Sequence, residues 1–125
     1  MKIDVLLTGA ESRQGVVTIR ALARRGIKMM VMGEQKHSIG FYSRYIYGHG
    51  QSPSPMTEKE KFVGFLLDFV KKHDIPYIFP VTESSLIPLN EFRSEVEKVA
   101  RLIAPSSFTI LTALDKKQAL ATAER

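Results

Sequence analysis

Along this chain short apolar runs alternate with stretches whose apolar residues recur at helical spacing, and that change of period limits the folds open to it. Residues 3–7, IDVLL, are almost continuously apolar, the pattern of a strand covered on both faces. Then comes the turn TGAESRQG. From there Val16, Ile19, Leu22 and Ala23 recur at helical intervals and Gly26 supplies a stop signal. Residues 29–32 read as a second buried strand, completing a βαβ unit whose crossover is expected to be right-handed.

The rest follows the same rhythm. Residues 33–55 are irregular and rich in Gly, Ser, Pro and Tyr, with a short third strand expected over 44–47. Thr57-Glu58-Lys59-Glu60 has capping-box spacing. Behind it, Phe62, Phe65, Leu66, Phe69 and Val70 form the apolar stripe of a helix ending near His73 and Asp74, ahead of Pro76. Residues 77–81 read as a strand, and Thr82-Glu83-Ser84-Ser85 as the start of a helix carrying Leu86, Ile87, Leu89 and Phe92. Residues 99–103 read as a fifth strand stopped by Pro105, and 115–125 as a final helix. The succession predicts an α/β fold, a doubly wound and mainly parallel sheet of about four to five strands with helices on both faces. In such sheets ligands lie beyond the carboxyl ends of the strands, which directs attention to the loops after Leu7, Met32 and Val81.

The 125 residues fit one domain with a sizeable core, and 44% hydrophobic with 25% charged residues is ordinary for a globular chain. No apolar run approaches the roughly 18 residues that span a bilayer. Asp4 interrupts the N-terminal apolar run, which fails as a signal peptide. The chain has no cysteine, which suits a reducing compartment. The expectation is a cytoplasmic protein with no membrane partner. Net charge is +5, but the cations are scattered: Arg20, Arg24 and Arg25 on one predicted helix, Lys59, Lys61, Lys71 and Lys72 on another, Lys116 and Lys117 near the end. Solvated helix faces explain them better than a nucleic-acid partner.

The first loop fails two tests for a phosphate cradle. G-x-G-x-x-G requires a middle glycine so that the backbone can touch a pyrophosphate, whereas here Gly9 is followed by Ala10, Glu11, Ser12, Arg13, Gln14 and Gly15. The P-loop spacing and its Lys-Ser or Lys-Thr are also missing. Two readings of the loop stand. Helix amides near Gly15, with Ser12 and Arg13, hold an anion, or the glycines only turn the chain and pack helix on strand. Glu34 follows the second strand, where it would meet a ribose hydroxyl or serve as a solvated turn residue. The hydroxyls and carboxylate of the loop at 80–85 suit a small polar substrate, and equally an N-cap. His37, His49 and His73 lack metal-ligand spacing, so surface histidines are expected and no metal site. Tyr42, Tyr45 and Tyr47 fit core or lid packing better than base stacking. No G-x-S-x-G motif or paired catalytic carboxylates are present, so no catalytic residue is assigned.

Three stretches, VLLTGAESRQGVVTIRALARRG, FPVTESS and LTALDKKQALATAER, together resemble the N-terminal preATP-grasp domain of ATP-grasp ligases, especially the carbamoyl-phosphate-synthase-like group. The resemblance runs in order over the whole chain. It implies residues 1–112 as a Rossmann-like preATP-grasp domain and 113–125 as a hinge helix leading into an ATP-grasp core that this chain lacks. It implies ATP and magnesium as cofactors of the complete enzyme, and an acyl phosphate made from a small carboxylate substrate and attacked by an amine or thiol. By position, Gly9, Ala10, Glu11, Ser12 and Arg13, with Thr82, Glu83 and Ser84, would face the substrate, and Lys116 would reach ATP phosphates. The partner would be an ATP-grasp core in the same chain or a separate subunit, and this chain alone would be inactive. Two rivals are a Rossmann-type nucleotide-binding domain of an oxidoreductase or sugar-nucleotide enzyme, and a non-enzymatic α/β ligand-binding module. Apolar faces that read as core would serve equally as the seam of a homodimer.

Overall fold

The computed structural model describes residues 2–103. Five strands, β1 (Val5–Thr8), β2 (Met29–Gly33), β3 (His49–Gln51), β4 (Tyr77–Pro80) and β5 (Arg101–Leu102), form one sheet in the order β3-β2-β1-β4-β5. Every pairing is parallel, with Val5 opposite Met29 on one side and Tyr77 on the other. The helices are α1 (Arg13–Ala23), α2 (Lys59–His73), α3 (Glu83–Glu91) and α4 (Arg93–Val96), with a 3₁₀ turn at Ile39–Tyr42. This is the expected doubly wound α/β fold, of Rossmann-like strand order.

The strands are apolar on both sides because both sides are covered. Val5 and Leu7 of β1, Met29 and Val31 of β2 and Phe79 of β4 pack with Ile19 and Leu22 of α1. Their alternate neighbours Leu6, Met32 and Ile78 pack with Phe62, Leu66 and Val70 of α2 and Leu89 of α3. Each fully buried side chain of this size contributes about 1.5–3 kcal/mol over its exposed state. Two such layers hold the sheet between them. At the end of α1, Gly26 has φ +74°, and its amide donates to Ala23 while that of Ile27 donates to Leu22, closing the helix.

Three expectations are corrected. The third strand lies at His49–Gln51, not 44–47, because Gly48 and Gly50 let the edge chain approach Met30 and Met32 closely. The fifth strand shrinks to Arg101–Leu102 because the Val99 and Ala100 amides still donate to Val96. No capping box forms at Thr57: α2 begins at Lys59, its N-cap Glu58 makes no side-chain cap bond, and the Thr57 amide donates to Ser54 Oγ. Ser85, Pro88 and Leu89 form the buried stripe of α3, and Ile87 on its outer face is 60% exposed. Tyr42, Tyr45 and Tyr47 are exposed as well, so they are not core residues. The predicted helix at 115–125, the proposed hinge at 113–125 and Lys116 lie outside the described residues. No helix among the described residues is long and apolar enough to cross a membrane.

Candidate functional site

The chain leaves β1 toward β2 and β3, then crosses back to place β4 on the other side of β1, so strand order reverses between β1 and β4. Loops leaving such a pair diverge to opposite faces and open a crevice at the carboxyl ends. Here they are two of the three loops singled out in the sequence, those after Leu7 and Val81. The Val81 amide donates to the Thr8 carbonyl at 3.3 Å, the last link before the loops part. A groove of about 650 Å³ lined by Lys71, Asp74, Pro76 and Glu97 lies at the opposite, amino end of β4 and β5, so position in the fold, not size, marks the site.

Gly9 begins the first loop with φ +86°, a conformation that L side chains rarely adopt. A Cβ on it would lie 2.8 Å from Thr82 Cγ2. The two loops touch there, backbone against side chain. Gly15 is required for a second reason: a Cβ there would lie 2.5 Å from the Gly9 carbonyl oxygen, so the first turn of α1 sits directly on the loop. Ala10 is buried; its amide donates to Met32 at 3.1 Å and its carbonyl accepts from Gly40 at 2.8 Å.

The helix starts earlier than Gly15 suggested. α1 begins at Arg13, and Ser12 is its N-cap: Ser12 Oγ donates to the Gly9 carbonyl at 2.7 Å and accepts from the Gly15 amide at 3.0 Å. The serine hydroxyl therefore occupies one of the free amides that a bound phosphate would use. At the second loop Thr82 caps α3, its Oγ1 accepting from the Ser85 amide at 3.4 Å and lying 3.2 Å and 2.9 Å from the Ser84 and Ser85 hydroxyls. Arg13 and Glu83 are exposed at the mouth of the loops. Sequence reasoning did not single out Thr8. Its side chain is 1% exposed and its Oγ1 has no hydrogen-bond partner among the described residues, an unsatisfied polar atom at the end of β1. A threonine closing an otherwise apolar strand was the available signal.

Glu34, at the end of β2, is drawn to the same edge. Its amide donates to Glu11 Oε1 at 3.3 Å, and its own carboxyl is held above the ordinary carboxylate range by partial burial first and by the Glu11 charge second. Among the described residues no group of three or more His, Asp or Glu is placed to hold a metal ion. His49 stacks on Phe41 with ring centroids 4.3 Å apart, and His73 leans on Phe69 at 4.5 Å.

No family model matches the chain, and no curated protein matches it in sequence. Among solved structures it is similar to N5-carboxyaminoimidazole synthetase from Staphylococcus aureus, with a TM-score of 0.56 and 13% identity over 84% of this chain and 27% of that one. It is also similar to dTDP-glucose 4,6-dehydratase from Bacillus anthracis, solved in complex with NAD, with a TM-score of 0.55 and 14% identity over 80% of this chain and 36% of that one. The chain thus spans only about a third or less of these proteins. At such identities the likeness shows the Rossmann-like α/β fold.

Two outcomes follow from this geometry. Gly9→Ala is expected to cost about 2 kcal/mol in denaturant unfolding, and less in a Thr82→Ser background, which keeps the capping oxygen but removes the methyl it would strike; equal costs in both backgrounds would refute the Gly9–Thr82 contact. The second concerns pH. A carboxyl whose folded pKa is raised contributes its stability fully below the ordinary carboxylate range and loses it as pH rises through the folded value. Glu34→Gln is therefore expected to remove a loss of stability that sets in as pH rises above the ordinary carboxylate range, checked by urea unfolding at a series of pH values.

Proposed function

We propose that the chain is the N-terminal, substrate-facing domain of an ATP-dependent ligase that works through an acyl phosphate. The observation that carries this reading is the junction of the Gly9–Arg13 and Thr82–Ser84 loops at the strand-order reversal, with Ser12 capping the helix where a dinucleotide phosphate would sit. Fold likeness to a protein whose name marks it as a synthetase lends support, as does the ordered resemblance of all three sequence stretches to the preATP-grasp domain.

In the complete enzyme a substrate carboxylate oxygen attacks the γ-phosphorus of ATP and ADP leaves. An amine or thiol then attacks the acyl carbon, and phosphate departs with the bonding electron pair. ATP and magnesium belong to an ATP-grasp core outside residues 1–125, and Lys116 would reach the phosphates from the hinge. What these residues supply is recognition. Arg13 offers a guanidinium to a carboxylate, Ser84 a hydroxyl, and Glu83 and Glu11 acceptors for an amine. By this reading the isolated chain neither hydrolyses ATP nor ligates.

The second reading is a nucleotide-binding domain of an oxidoreductase or sugar-nucleotide enzyme. Fold likeness to a dehydratase solved with NAD and the place of Glu34 at the end of β2 favour it. The Ser12 cap opposes it. The deciding experiment joins the chain to an ATP-grasp core, in its own reading frame or as a partner subunit, and traps acyl phosphate with hydroxylamine over a panel of small carboxylates. ATP-dependent hydroxamate is expected, with Arg13→Ala and Ser84→Ala raising KM for the carboxylate about tenfold while KM for ATP stays put; Lys116→Ala should do the reverse. Nicotinamide binding without ATP-dependent hydroxamate would replace the ligase reading with the second one.

A further inference from the structure

A groove of about 550 Å³ runs along the outside of α1, away from the strand-order reversal. Val16, Arg20 and Arg24 stand four residues apart on its helical wall, and Tyr42, Arg44 and Tyr45 line the other. All three arginines are exposed. The ion pairs Lys59–Glu91, Lys61–Glu58 and Arg93–Glu97 involve none of Arg20, Arg24 and Arg44. Three guanidiniums share one concavity.

Arg44 is fixed in place by its neighbour. Its Nη2 donates to the Tyr45 hydroxyl at 3.1 Å, and its guanidinium lies 5.1 Å from the centroid of the Tyr45 ring, a cation–π contact. The Tyr45 hydroxyl is held below its ordinary pKa, first by the Arg44 hydrogen bond and charge and then, against an opposing desolvation, by the charges of Arg20 and Arg24. Positive potential is therefore concentrated here and not dispersed over the helix. Tyr42 stands 72% exposed, with its hydroxyl 3.0 Å from His37 Nδ1. An aromatic ring kept in water beside three guanidiniums is a ready stacking surface.

The geometry points to a second ligand site in this groove, taking a nucleoside diphosphate with its phosphates on Arg20, Arg24 and Arg44 and its base on Tyr42. Guanidinium forks match phosphate oxygens in pairs, and the volume falls within the roughly 300–1,000 Å³ of small-molecule sites. This site is independent of the ligase reading, which assigns ATP to a core outside residues 1–125. It has a direct route to the substrate loops, because the 3₁₀ turn that carries Tyr42 also carries Gly40, whose amide holds the Ala10 carbonyl at 2.8 Å. A ligand that orders this turn steadies the Gly9–Arg13 loop.

The test titrates ADP without magnesium into the 125-residue chain by calorimetry. Saturable one-to-one binding is expected, weakening with salt. Arg20→Gln and Arg44→Gln should each weaken it about tenfold, while melting curves stay unchanged because both side chains are exposed. Tyr42→Ala should weaken ADP about fivefold or more yet leave inorganic pyrophosphate unaffected. Binding that survives both arginine changes but is lost on altering the Gly9 loop would put the nucleotide at the strand-order reversal and overturn the proposal. So would an absence of saturable binding, or pyrophosphate binding as tightly as ADP with Tyr42→Ala indifferent, the mark of an unspecific anionic contact.

Discussion

The hydrogen bond from the Val81 amide to the Thr8 carbonyl is the last link between β1 and β4, and the carboxyl edge of the sheet is organised around it. Because these central strands lie side by side while their connections run to opposite faces, the chain must turn sharply twice within one small region. Gly9 makes the first turn with a positive φ and packs its bare backbone on Thr82. Any side chain there would push the two loops apart. The loops meet at the base of the crevice because one residue has no Cβ.

Two hydroxyl caps then decide what that crevice offers. Ser12 and Thr82 each satisfy a helix amide that would otherwise face outward, worth about 1 kcal/mol apiece in helix stability. The same bonds reduce the appeal of the α1 terminus to phosphate, since an incoming anion must compete with a hydroxyl already in place. Side-chain chemistry is left exposed instead: Arg13 and Glu83 at the mouth, with Glu11 and Glu34 sharing a hydrogen bond at the rim. Recognition of a small polar molecule suits such groups better than cradling a pyrophosphate does.

The sheet was legible in the sequence because its strands are covered on both faces, so residues 3–7, 29–32 and 77–81 show as nearly continuous apolar runs. Edge strands carry no such signal. β3 is a three-residue strand containing Gly50, whose value lies in making room for Met32 and not in any propensity for strand. The Thr57 capping box failed for a related reason: the Ser54 hydroxyl and carbonyl already hold the Thr57 and Glu58 amides, and a spacing rule does not reveal that competition. At the site, Gly9 and Thr82 were legible as loop residues at strand ends, yet their mutual contact depends on strand order, which no local pattern encodes. The arginine groove was illegible for the same reason. Arg44 lies 20 residues or more along the chain from Arg20 and Arg24, and only the folded chain brings them onto one concavity.

If the Gly9–Gly15 turn forms the substrate wall proposed above, it is closed to a dinucleotide. Backbone amide shifts of the ¹⁵N-labelled chain, followed while NAD is added, test it most directly. The amides of Gly9, Ser12 and Gly15 are expected to stay where they are, whatever happens near Arg20 and Tyr42. Saturable shifts of those three amides would mean that the Ser12 cap yields to a pyrophosphate, and the substrate-wall account would be wrong.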